Sequence, residues 1–138
     1  MSIIKSLQTY LEQFKGMELT NNPILTDITD DVSSYALSPA GNSKTVTDIA
    51  GNRTYINNYV FYARGYTADE TDRQDNHEFL DDLLEWIEDN NEKEIYPIVP
   101  SYIVDEISAS NALLFDVDVD GRGTYQIQIQ LVLRKEKR

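Results

Sequence analysis

The amino-acid sequence predicts an α+β domain, in which two main helices pack on one face of a mostly antiparallel sheet. Three observations indicate this class. The element order along the chain is helix, short strands, helix, strands. A long aromatic-rich strand pattern, Arg53–Tyr66, precedes an acidic amphipathic helix. A final strand pattern over residues 124–134 alternates apolar and polar residues with a period of two.

Length and charge narrow the class further. The 138 residues are enough for one domain with a sizeable core, so we expect a single domain over residues 1–138. The net charge of −12 disfavours binding to nucleic acid and to anionic membranes. The absence of cysteine excludes disulfides and thiolate metal sites. We find no membrane-spanning pattern and no signal-peptide pattern.

The first predicted element is a helix over residues 3–14. Ser2 is a suitable N-cap for it, and Gly16 is a suitable stop. Its apolar residues follow helical spacing and form one stripe: Ile3, Ile4, Leu7, Leu11 and Phe14.

Short strands are predicted next. Residues 24–28 form either a short strand or a plug at the edge of the core. A strand over 32–38 ends in a proline–glycine loop, and residues 44–49 pair with the long strand Arg53–Tyr66 through a turn at 50–52. Apolar residues occupy both faces of the long strand, which indicates cover on both sides, by this chain or by another molecule. One parity holds Tyr55, Tyr59, Phe61 and Ala63, and the other holds Ile56, Val60, Tyr62 and Tyr66.

The acidic helix is predicted over residues 72–92. Thr71 and Gln74 match a capping box, and Asn90 and Asn91 suit the C-terminal end. Its apolar stripe is formed by Phe79, Leu80, Leu83, Leu84 and Ile87, and its remaining faces carry Glu78, Asp81, Asp82, Glu85, Glu88 and Asp89.

The last part of the chain predicts three strands and a basic tail. Strands over 102–109 and 113–119 follow two prolines, and a tight hairpin turn at 120–123 leads to the strand 124–134. In that strand one face is apolar (Tyr125, Ile127, Ile129, Leu131, Leu133) and the other is polar (Gln126, Gln128, Gln130, Arg134). We expect residues 134–138 to form a solvated tail.

Signatures of catalysis and of metal binding are weak. His77 is the only histidine, so no multi-histidine metal site exists and any Ser–His relay must use it. Its place in the first turns of the acidic helix indicates a solvated side chain rather than a catalytic one. Residues 116–121 imitate the start of a calcium loop, but Ile127 stands where the bidentate carboxylate is needed. We therefore expect no enzyme, no catalytic residues, no metal and no cofactor.

The amide row of the last strand suggests an interface. Amides can hydrogen-bond across a contact without the desolvation cost of charges, although a solvent-facing sheet explains the same row. The aromatic residues on both faces of the strand Arg53–Tyr66 also suggest an interface, because one fold does not easily cover both faces. The candidate subunit-interface residues are Tyr59, Phe61, Tyr62, Gln126, Gln128 and Gln130.

The layout resembles a family of bacteriophage proteins. Its most distinctive segment is Asn76-His-Glu-Phe-Leu-Asp-Asp-Leu-Leu-Glu-Trp-Ile-Glu88, an aromatic–leucine helix that closes on Trp-Ile-Glu. The other matching segments are residues 3–14, 35–39, 51–55, 59–64 and 125–133. In these segments the chain resembles the minor capsid and tail-terminator proteins, which join head and tail in phages and prophages of Gram-positive bacteria.

This resemblance implies a structural virion protein without catalytic residues. Such proteins assemble into rings, here expected to hold about six copies, that cap the tail tube and contact tail-tube and head-connector proteins. An acidic lumen would repel passing DNA, and the candidate lumen residues are Asp81, Asp82, Glu85, Asp116 and Asp118. The alternative is an acidic module that mimics DNA and blocks a nucleic-acid-binding protein.

Overall fold

The computed structural model describes residues 3–14, 25–26, 34–41, 43–66, 70–117 and 122–135. It confirms the predicted class: a mostly antiparallel sheet carries two helices. In chain order the elements are α1 (Ile3–Leu11), β1 (Leu25–Thr26), β2 (Ser34–Pro39), β3 (Lys44–Thr47), β4 (Arg53–Tyr66), α2 (Glu70–Glu92), β5 (Tyr102–Val117) and β6 (Arg122–Lys135). Among the described helices, none is long and apolar enough to cross a membrane.

The sheet is organised around β4 and β6. The strand order is β1-β2-β4-β6-β5, and β3 pairs with the first residues of β4. Within these strands only the short β1–β2 pair is parallel. β4 pairs along its whole length with β6, from Thr54 opposite Arg134 to Tyr66 opposite Arg122. This long central pair fixes which side chains share a face.

One face of the sheet packs against both helices and forms the core. The period-two pattern of β6 points its apolar residues to this face, where Ile127, Leu131 and Leu133 are fully buried. From the helices, the core receives one apolar stripe each: Leu7, Tyr10 and Leu11 from α1, and Leu80, Leu83 and Ile87 from α2. Burying such side chains contributes about 1.5–3 kcal/mol each.

Aromatic rings join the two helices. The Trp86 ring lies 5.0 Å from Tyr10 and 5.4 Å from Phe14, between ring centroids. Asn90 Nδ2 donates a hydrogen bond of 3.2 Å to the Tyr10 hydroxyl, which donates to the Ile95 carbonyl. Burial raises the pKa of Tyr10, and the hydrogen bond from Asn90 lowers it by less. These contacts hold α1 beside the end of α2.

Strand β5 forms one edge of the sheet, and this edge is irregular and partly covered. Its pairing with β6 shifts register between Val104 and Glu106 and again farther along the strand. At Ile107 the backbone N–H donates to Asn91 Oδ1 of α2 at 3.0 Å. The helix thus caps a donor that an ordinary edge strand presents to solvent.

Three predictions about element boundaries need correction, and one open alternative is decided. The first helix ends at Leu11, and Phe14 follows it in a turn yet still packs on the core. The second helix begins at Glu70, so Thr71 is inside the helix and is not its N-cap. The two strands predicted over 102–109 and 113–119 form one continuous strand. Of the alternatives for residues 24–28, the short strand is confirmed as β1.

Candidate interaction surfaces

The sheet face opposite the helices, here called the outer face, is neutral at its centre. β4 and β6 place three side-chain pairs there: Asn58 beside Gln130, Val60 beside Gln128, and Tyr62 beside Gln126. β5 adds Ser108 and Ser110, opposite Gln130 and Gln128. All eight side chains are uncharged, in a chain of which 26% is charged.

The local geometry of the outer face is partly ordered by hydrogen bonds between strands. Gln130 Nε2 donates to Asn58 Oδ1 at 3.2 Å. Gln128 and Gln130 are exposed, whereas Tyr62 and Gln126 are half-buried by their neighbours. No described helix covers this face, because both helices pack into the core on the other side. The structure therefore places four of the six candidate interface residues together on one accessible surface.

The other two candidate interface residues lie elsewhere. Tyr59 is 6% exposed and Phe61 is fully buried, both beneath the helices. Burial raises the pKa of the Tyr59 hydroxyl, and a hydrogen bond from Asn57 lowers it by less. The expectation that these two residues contact another subunit is wrong, because the chain's own core already covers them.

The candidate acidic residues of α2 lie on its solvent side. Asp81, Asp82 and Glu85 are exposed, and so are Glu78, Glu88, Asp89 and Glu92. We call these seven residues the acidic face. Within the described part of the chain, none of the seven forms a salt bridge. Asp116 lies in β5 opposite Thr124, but its side chain is outside the described residues, as is the whole of Asp118.

A cavity of about 470 Å³ lies at the end of the sheet where β4 begins and β6 ends. Its charged lining comprises Arg53, Arg134, Lys135 and Asp48. Asp48 accepts hydrogen bonds from Asn52 through both carboxylate oxygens, at 2.9 and 3.2 Å, and so anchors the β3–β4 turn. Gly51 takes a φ of 85° in that turn, a backbone conformation that side chains disfavour.

Sequence reasoning missed several of these positions. Asn58 and the serines of β5 were not singled out, although their parity relative to Val60 and the glutamines identifies the face. The lining of the cavity joins residues far apart in the chain and has no local signal. His77 is exposed and packs edge-on against Tyr125, with centroids 5.3 Å apart. Among the described residues, no three potential metal-ligating side chains converge.

A scan against models of known protein families finds no match to this chain, and a search of curated proteins finds no significant match either.

Proposed function

We propose that this chain is a structural phage virion protein, a tail terminator or minor capsid component. In this proposal it self-assembles into a ring at the head–tail junction, caps the tail tube and acts without turnover. One observation carries the proposal: the outer face is neutral at its centre, and no helix of the described part of the chain covers it. The sequence resemblance described above supplies the class of assembly.

The composition of the outer face supports burial against a neighbouring subunit. A sheet that faces water in such an acidic chain is expected to carry charges, yet the eight central positions carry amides, hydroxyls, a valine and a tyrosine. Tyrosine is enriched at the centres of protein interfaces, and charged residues are depleted there. An antiparallel sheet with one face exposed to water is also common in proteins that act as single copies. The oligomeric state of the protein therefore decides between the two explanations.

The experiment is light scattering coupled to size exclusion, over a range of protein concentrations. We expect closed oligomers of about six copies. Gln128→Arg places a charge at the centre of the outer face and should raise the dissociation constant of the oligomer about tenfold or more. Gln13→Arg is the matched control, because Gln13 is exposed in the turn after α1, on the helix side. A wild-type protein that stays monomeric up to about 1 mM contradicts the proposal.

A second candidate function is mimicry of DNA, and the acidic face of α2 favours it. Glu78 and Glu92, its first and last members, are about 21 Å apart along the helix at 1.5 Å per residue. An exposed row of carboxylates is the arrangement that a DNA mimic presents to a basic protein. The distinguishing result is a one-to-one, salt-sensitive complex of a monomer with a DNA-binding protein, displaced by duplex DNA. A stable ring with no such complex excludes this candidate.

A further inference from the structure

The large hydrophobic side chains exposed in the described part of the chain gather at one end of the sheet. Ile49 is fully exposed at the tip of the β3–β4 turn, and Ile98 is 88% exposed between the buried Pro97 and Val99. The complete set is Val46, Ile49, Ile95, Ile98 and Ile103. Exposed apolar side chains that cluster in one place mark an interaction surface more often than scattered ones do.

Strand pairing brings these separate segments together. Ile103 lies opposite Arg134, and Arg134 lies opposite Thr54 near the start of β4. Tyr102 meets Tyr55 edge-to-face, with ring centroids 6.0 Å apart. The β3–β4 hairpin, the end of β6 and the start of β5, into which the connection from α2 leads, therefore lie at the same end of the sheet. We call it the Arg53 end.

The Arg53 end is also cationic. Arg53, Arg134 and Lys135 line the cavity described above, and Lys44 is exposed on the neighbouring β3. Of these, Arg134 is paired, because its Nε donates to both carboxylate oxygens of Asp105 at 3.2 Å. Within the described residues, the other three have no salt bridge. Asp48 keeps its negative charge while it anchors the turn. Four cations against the two carboxylates Asp48 and Asp105 leave the region net positive.

The acidic face of α2 has the complementary character. The 23 residues of the helix include ten carboxylates and one cation, Arg73, a net charge of −9. The seven exposed carboxylates of the acidic face have no salt bridge in the described structure. Half-buried Leu84 and Trp86 lie at the two borders of this face, so it offers apolar rims beside its charge. The Arg53 end likewise combines exposed apolar side chains with charge, but its charge is positive.

We propose that the Arg53 end of one copy docks onto the acidic face of α2 in a second copy. The two surfaces are different parts of the chain, so the contact is heterologous and propagates from copy to copy until the ring closes. Attraction between unpaired charges orients the encounter, and the isoleucines of the Arg53 end supply apolar contact against the rims of α2. This inference rests on the proposed self-assembling function and names one of its contacts.

Charge exchange between the two surfaces is the test. One variant carries Arg53→Glu and Lys135→Glu, and the other carries Asp82→Lys and Glu85→Lys; all four side chains are exposed. Each variant alone should associate about tenfold or more weakly than the wild type, because like charges then face each other. In a mixture of the two variants, the acidic Arg53 end of one variant meets the basic α2 face of the other. The basic Arg53 end of the second variant meets the acidic α2 face of the first. Both contacts then join opposite charges, so association should return. The chain that carries all four substitutions should also recover.

The outcomes separate this inference from the proposed function. Rescue by mixing, with both variants folded by circular dichroism, supports the inference. If the wild type assembles and Gln128→Arg disrupts it, but both charge variants assemble like the wild type, the inference is overturned and the proposed function stands. Loss of assembly without rescue by either route also overturns it, because loss alone does not show that these two surfaces meet. Binding of the wild type to anionic vesicles in place of self-association points to a different occupant and overturns it as well.

Discussion

Glu85→Lys should stabilise the monomer, although it removes a residue from the proposed docking surface. Glu85 stands at the centre of the acidic face, with Asp81 and Asp82 one turn before it and Glu88 and Asp89 one turn after it. These are four like-charge pairs at spacings of three or four residues, each destabilising a helix by about 0.2–0.5 kcal/mol. Lysine removes the four repulsions and creates four attractions of similar size.

The magnitude follows from these eight changes. A simple sum gives about 1.6–4 kcal/mol, and screening and non-additivity reduce it, so we expect about 1–2 kcal/mol. Glu85→Gln only removes the repulsions and should give about half of this gain. Glu12→Lys makes the same change in net charge at an exposed position outside α2, and serves as the control.

Urea unfolding at low protein concentration measures the effect, with fluorescence of the single tryptophan as the probe. Trp86 is half-buried in the contact between α1 and α2, so its emission reports the loss of that contact. The gain should shrink in 1 M salt, where the Debye length is about 3 Å. A Glu85→Lys variant no more stable than Glu12→Lys at low salt would refute the reasoning, because the repulsion is specific to the neighbours on α2.

Three further predictions concern the core. Leu83→Ala should destabilise the protein by about 2–5 kcal/mol, since a fully buried side chain leaves a cavity beneath α2, and thermal unfolding measures the loss. Tyr125→Phe should be neutral or stabilising by up to about 1 kcal/mol in the same assay, because the buried Tyr125 hydroxyl has no partner in the described structure. Burial raises the pKa of Tyr35 to about 12, so the folded state should lose stability as pH rises from about 10 through 12, by roughly 1–2 kcal/mol after solvent screening. Urea midpoints measured from about pH 9 upward should show a smaller loss of stability in Tyr35→Phe than in the wild type. An unchanged pH profile would show that Tyr35 does not titrate in this way.

Period-two alternation explains why so much of the sheet was predictable. In β6 every apolar residue except Val132 is on one parity, so the buried face follows directly from the sequence. The bounds of β4 were also predicted, because turn residues precede it. Its buried parity was not predictable, since apolar residues occupy both sides. Only the positions of the helices show that Tyr59 and Phe61 face the core while Tyr62 does not.

Local signals failed where tertiary contacts decide. Phe14 fits the helical spacing of α1, but it reaches the rings of Phe79 and Trp86 from a turn beyond the helix. The segment Ser110-Asn-Ala112 resembles a break between strands, yet the register shift between Ser110 and Leu113 absorbs it within one strand. The Arg53 end had no sequence signal, because its residues are brought together only by strand pairing.

The irregular pairing of the edge strand β5 affects how this chain behaves at high concentration. A straight, uncovered border would let sheets add to one another without limit, as in fibrils. Here the repeated offsets in β5 and the Asn91 cap over Ile107 break the row of evenly spaced donors and acceptors that such growth requires. Purified material should therefore resist fibrillation by growth from this edge.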